Sequence, residues 1–255
     1  MINKQMNLIS GNPLDAVVLD TDKKYLEGNV PMIGQKVEFD DGRIFRWCSS
    51  NAVQVAGEMV AVATCQATEI AGGCTAAAIG AKEVIVGTTA VTMFGGSAGV
   101  LAANRLAGGY LMITDDAGEG YSYRIKSHTA GTALVAITFT LYDGLKVAIT
   151  TDTDVCLVGQ KYRHVVEGAT ALSAIGAILV PNTGASTTVE SFFWVQTKGP
   201  GIALGAGTVG VELASAASGA VANAAEAGSG AYDRIVGTGL ATTTDGYACI
   251  DLKCE

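Results

Sequence analysis

Charge is what this sequence has least of. Asp, Glu, Lys and Arg make up 16% of its 255 residues, against roughly 25% in an ordinary soluble domain. An isolated monomer relies on a charged surface to stay dispersed. A chain this poor in charge is expected to have much of its surface covered by copies of itself or by a larger assembly. Histidine is nearly absent, with only His128 and His164. The six cysteines (Cys48, Cys65, Cys74, Cys156, Cys249 and Cys254) include no C-x-x-C pair. A zinc site would need distant ligands to converge, so the cysteines read as reduced thiols acting as small buried hydrophobes. No apolar run approaches the length of about 18 residues that spans a bilayer, so no membrane helix is expected. The first residues lack the apolar core of a signal peptide, their longest apolar run being Ala16-Val17-Val18-Leu19. Synthesis and assembly in a cytoplasm are expected. Basic clusters are missing too, and the net charge is −8. Phosphate neutralisation needs Lys and Arg gathered on one face, so nucleic acid is not an expected partner.

What is present is glycine, 33 residues of it, punctuating short β-prone runs. Residues 108–165 hold the clearest series. Residues 110–113 are large and apolar, and 115–120 (DDAGEG) form a turn. Residues 121–125 (YSYRI) alternate, putting both tyrosines and the isoleucine on one face. Residues 134–141 (LVAITFTL) alternate again, Asp143-Gly144 turns the chain, and 155–158 close the series. Short strands at roughly ten-residue spacing indicate an all-β fold, an antiparallel sandwich or barrel.

The rest of the chain follows the same grammar. Residues 1–30 show no periodicity beyond one strand at 16–19 and read as an extended polar arm. Residues 36–39 and 43–48 flank Asp40-Asp41-Gly42 as a hairpin, with Arg43 and Arg46 on opposite faces. Strands are expected at 59–64, 84–91, 175–180 and 189–196, with a turn at 197–201 (TKGPG). Short pieces at 202–204, 207–213, 220–222, 234–236 and 248–252 complete the chain. The expected division is an arm at 1–30, a β-rich domain at 31–166 and a second, Gly/Ala-rich β domain at 167–255.

Candidate sites are few. Gly228-Ser229-Gly230 begins like a dinucleotide loop, but position 233 is Asp and no strand–loop–helix unit surrounds it. Asp115, Asp116 and Glu119 could gather around Ca²⁺ but lack EF-hand spacing. Asp152 and Asp154 share a strand face, which strand-end solvation explains equally well. Neither His128 nor His164 sits in a nucleophile motif, and no G-x-S-x-G occurs. No catalytic, cofactor or metal residue is therefore assigned, and no enzyme activity is expected. Phe192 and Trp194 share one strand face, opposite Phe193, an arrangement that suits a core or a subunit contact. Together with Trp47 they are the residues assigned to partner contacts.

A resemblance joins these fragments. GEGYSYRI (118–125), TFTLYDGLKVAI (138–149), KYRHVV (161–166) and FFWVQTKGP (192–200), followed by a Gly/Ala/Thr-rich β tail, resemble structural proteins of tailed bacteriophages. The nearest likeness is to accessory head proteins, the decoration or cement proteins of the outer capsid, and it covers about 108–252. It implies a non-enzymatic virion protein on the capsid exterior, assembled in the host cytoplasm. Its partners would be the major capsid protein and copies of itself, often as a homotrimer. An acidic, arm-bearing β scaffold suits that place physically. The alternative is a tail or baseplate component, or a receptor-binding adhesin.

Overall fold

The computed structural model describes residues 18–19, 31–62, 86–94, 101–131, 136–150, 153–168, 174–181, 190–224, 235–243 and 246–255. Their regular structure is strand, apart from a single 3₁₀ turn at Ala217–Gly219. Every ladder between strands is antiparallel. The all-β antiparallel class read from the sequence is the observed one. Among the described residues no helix is long and apolar enough to cross a membrane.

The chain forms two compact units. Unit 1 joins Met1–Val62 to Tyr162–Glu255, and unit 2 is Ala63–Lys161. This differs from the expected succession of 31–166 and 167–255, and strand pairing shows why. In unit 1, β1 (Val18–Leu19), β2 (Lys36–Glu38), β3 (Ile44–Ser50) and β4 (Met59–Ala61) come first. After unit 2 come β10 (Val166–Glu167), β11 (Ala174–Ile178), β12 (Ser191–Leu204), β13 (Glu212–Ser215), β14 (Val221–Asn223), β15 (Ile235–Gly239) and β16 (Tyr247–Lys253). β4 pairs with β10 and β11, and β3 pairs with β12. These early strands find their ladder partners in the last third of the chain.

β12 is the hub of unit 1. Its first half pairs with β1, β3 and β11, and its second half with β16. The order β10-β4-β11-β12-β16-β15-β13-β14 then completes the sheet. The turn expected at 197–201 is absent; β12 runs unbroken through it to Leu204. The Gly and Pro there mark a bulge instead of a reversal. Register shifts between Gln196 and Lys198, and Gly199 takes φ +85°. The buried Gln196 side chain ties the kink together. Its Nε2 donates to the carbonyls of Lys198, Gly199 and Pro200 at 3.2, 3.2 and 2.8 Å.

Unit 2 is simpler. β5 (Ala90–Phe94), β6 (Tyr110–Asp115), β7 (Ser122–His128), β8 (Ala136–Leu141) and β9 (Asp154–Val158) form one sheet in the order β5-β8-β7-β6-β9. Alternation sets its inner face, where Leu111, Tyr123, Ile125, Phe139 and Leu141 meet in one core. Tyr121 stacks on Tyr123 at 6.2 Å, so both tyrosines do share the isoleucine's side. Each fully buried aliphatic or aromatic side chain contributes about 1.5–3 kcal/mol.

Candidate interaction surface

The residues assigned to partner contacts from the sequence do come together, but inside unit 1. Trp47 on β3 pairs with Trp194 on β12, and their rings meet edge-on at 5.1 Å and 65°. Phe192 and Phe45 complete the cluster, in which Trp47 is 1% exposed. Side chains so enclosed have no surface left for a partner to cover, so Trp47, Phe192 and Trp194 are core. Phe193 points the other way, into a separate cluster with Cys48 and Val60. The arm falls almost entirely outside the described residues; its β1 pairs with the chain's own β12.

The polar candidates resolve individually. His128 is buried and fully used: Nε2 accepts the Leu106 N–H at 2.9 Å and Nδ1 donates to the Thr129 carbonyl at 2.8 Å. That pattern fixes a neutral ring in a structural role. His164 takes φ +51°, its N–H donates to Ser49 Oγ, and its Nε2 lies 3.7 Å from Glu190. Asp116 accepts the Thr150 hydroxyl at 2.8 Å, which helps to hold its carboxyl below the usual range. Among the described residues no three His, Cys, Asp or Glu side chains are placed to hold a metal. Asp152, Cys65, Cys74 and residues 228–230 lie outside the described residues.

One carboxylate stands apart. Glu58 is buried, and its Oε2 accepts the Val55 N–H at 2.7 Å. Its stem lies against Gly219, where a Cβ would collide with it. Burial pushes this carboxyl above its ordinary range, and the nearby charge of Glu167 pushes the same way. Glu58 thereby fastens the 55–57 loop from beneath.

That loop borders the surface the sequence did not reveal. On the outer side of the sheet, register aligns Ile202 of β12 with Cys249 of β16. The next residue in line is Leu240, whose N–H donates to the Cys249 carbonyl. Ile202 is 52% exposed, Leu240 49%, and the Cys249 thiol is exposed as well. One step along the strands, Tyr247 pairs with Leu204 and is 48% exposed. The Tyr247 ring lies over Gly57, where a Cβ would sit 2.6 Å from its edge. Gly57 has φ +78° and carries no side chain, so the ring can approach its backbone.

Beside this row opens a pocket of about 520 Å³. Ile178, Leu179, Ile202 and Tyr247 give it apolar walls, and Arg43 and Gln196 supply polar groups. Those polar groups are already engaged. Arg43 Nε donates to Asp41 Oδ2 at 2.7 Å and its guanidinium lies over the Phe39 ring, while Gln196 serves the bulge. What remains on offer is dehydration of exposed aliphatic, aromatic and thiol groups, which is the chemistry of docking. The alternation of 247–252 signals an outward face bearing Tyr247 and Cys249. Its meeting with Ile202 and Leu240 depends on cross-strand register, which local sequence does not carry.

Comparison with protein-family models, curated proteins and solved structures gave no match to this chain.

Proposed function

We propose that this chain is a non-enzymatic structural protein of a tailed-bacteriophage virion that binds and stabilises the outer capsid surface, as decoration or cement proteins do. The observation that carries the reading is the exposed row of Ile202, Cys249 and Leu240, continued by Tyr247 and the adjoining pocket. A sheet presenting aliphatic side chains in register gives a partner protein a dehydratable face. The low charge of the chain and its motif resemblance to phage accessory head proteins support the same reading. The expected partners are the major capsid protein and further copies of the chain, with a trimer as the expected assembly.

The test is rebinding. Purified protein is sized in solution, then added to shells stripped of accessory proteins, and shell melting is followed. Binding that raises the shell's melting temperature supports the reading. Ile202→Asp places a charge in the row and is expected to weaken rebinding by about tenfold or more. A chain that ignores shells and binds tail assemblies or host cells would be the tail component or adhesin instead.

A further inference from the structure

Unit 2 also turns one sheet face outward, and its chemistry differs. Register carries four residues into one row across the strands. Val158 of β9 pairs with Tyr110 of β6, and Tyr110 pairs with Arg124 of β7. Tyr142, just past β8, donates its N–H to the Arg124 carbonyl at 3.0 Å. With neighbouring strands about 4.8 Å apart, the row spans about 14 Å. Tyr110 is 44% exposed and Tyr142 49%. A tyrosine ring is largely apolar, and here two of them stand in water on either side of an arginine.

Arg124 is held but not neutralised. Its guanidinium carbon lies 5.2 Å from the centre of the Tyr142 ring, a cation–π contact. Its enclosed Nε has no hydrogen-bond partner. Among the described residues no carboxylate forms an ion pair with Arg124 or with Lys126 two residues along. In a chain of net charge −8 this is a local cationic spot awaiting an anion.

We propose that this row binds a linear acidic polysaccharide, with sugar rings stacked on Tyr110 and Tyr142 and a sugar carboxylate held by Arg124. A pyranose ring has an apolar C–H face that a tyrosine ring can cover, and a carboxylate takes parallel hydrogen bonds from a guanidinium. The hydroxyls of Ser122 and Thr140, on the same outward face, suit the ring hydroxyls. An acidic peptide would satisfy Arg124 but would not call for two exposed rings in one cross-strand row. The proposal stands whether or not unit 1 docks on a capsid.

The test titrates the full chain by calorimetry with oligogalacturonate and with oligosialic acid. A neutral maltooligosaccharide and poly-glutamate serve as comparisons. Saturable binding of one acidic glycan is expected, with the neutral glycan weaker by about tenfold or more and poly-glutamate weaker as well. Tyr110→Ala and Arg124→Gln are each expected to weaken the acidic glycan about tenfold, while Tyr110→Phe keeps the ring and the affinity. Circular dichroism establishes that each variant is folded, and Tyr142→Ala replaces Arg124→Gln if that variant is not. The proposal is overturned if neither acidic glycan saturates, if folded variants bind like the parent, or if poly-glutamate binds as tightly.

Discussion

The two units differ in how far along the chain their strand pairing reaches. Unit 2 pairs β6 with β7 and β7 with β8, neighbours in sequence joined by short connections. Unit 1 pairs β3 with β12 and β4 with β10, strands separated by the whole of unit 2. Their outward rows differ as well. Unit 1 shows Ile202, Cys249 and Leu240, with nearby Arg43 and Gln196 already bonded. Unit 2 shows Tyr110, Arg124 and Tyr142, and among the described residues no carboxylate pairs with the cation. A face of the first kind gains by shedding water, and one of the second kind by meeting charge. Salt should therefore separate them: binding at the Arg124 row weakens as ionic strength rises, while docking on the Ile202 row does not.

The largest expected effect tests whether the units have separate stabilities. Trp47→Ala removes a side chain at the centre of an aromatic cluster and is expected to cost about 3–5 kcal/mol. Both tryptophans of the chain, Trp47 and Trp194, belong to unit 1, so Trp194 fluorescence during denaturant unfolding reads that unit alone. Phe139→Ala cuts an equivalent hole in the core of unit 2. It is expected to leave the Trp194 transition in place and to lower the tyrosine near-ultraviolet dichroism transition instead. If Phe139→Ala shifts the Trp194 signal as far as Trp47→Ala does, the units unfold as one and the comparison fails.

A smaller change sharpens the description of the unit 1 face. Gly57→Ala sets a side chain at φ +78° and drives it into the Tyr247 ring. A loss of about 1–3 kcal/mol is expected, together with a displaced Tyr247. Smaller again is the effect of Glu58, whose sign depends on pH. Its folded carboxyl lies above the usual value of 4.5, chiefly through burial. The stability this confers is complete below the unfolded value and is lost as pH rises through the folded one. Above the unfolded value the shift counts against the fold, because burial disfavours the ionised form. Glu58→Gln, which keeps an acceptor for the Val55 N–H, should melt higher than the parent at pH 7 and match it near pH 4. A variant that melts lower at pH 7 would show that the charged bond to Val55 outweighs burial.

How far the sequence could be read follows the same division. In unit 2 the strands β6 to β9 were visible from local signals, since YSYRI and LVAITFTL alternate and the 115–120 turn carries Gly and Asp, whereas β5 begins only at Ala90, near the end of the stretch expected at 84–91. Unit 1 was visible only in pieces: β3, β4, β11 and the first half of β12 were expected, but β10 was not, the piece at 207–213 is strand only from Glu212, and nothing local states that Trp47 will pair with Trp194. TKGPG has the composition of a turn, yet Gln196 and the β16 ladder hold it as a bulge within one strand. The aromatic strand was found and its alternation was right, but hydrophobic clusters packed on both of its faces make it interior. Both candidate surfaces consist of residues ordinary in isolation. They become rows only through register, which depends on pairings the alternation does not name.

The smallest expected effect falls on Cys249, and it is the most direct probe of which face docks. Its thiol is exposed in the middle of the Ile202 row, whereas Cys48 is buried. Cys249→Ser should change stability by no more than about 0.5 kcal/mol, as surface substitutions generally do. Alkylation by a small thiol reagent should be fast in the isolated chain, and the increment missing from Cys249→Ser identifies the site. Addition of stripped shells should then slow that increment if the apolar row is covered. Addition of an acidic glycan should leave it unchanged, because that ligand belongs to the Arg124 row of unit 2. If shells bind while Cys249 stays as reactive as before, docking uses some other face, and the Ile202 row loses its assigned role even though the chain remains a capsid binder.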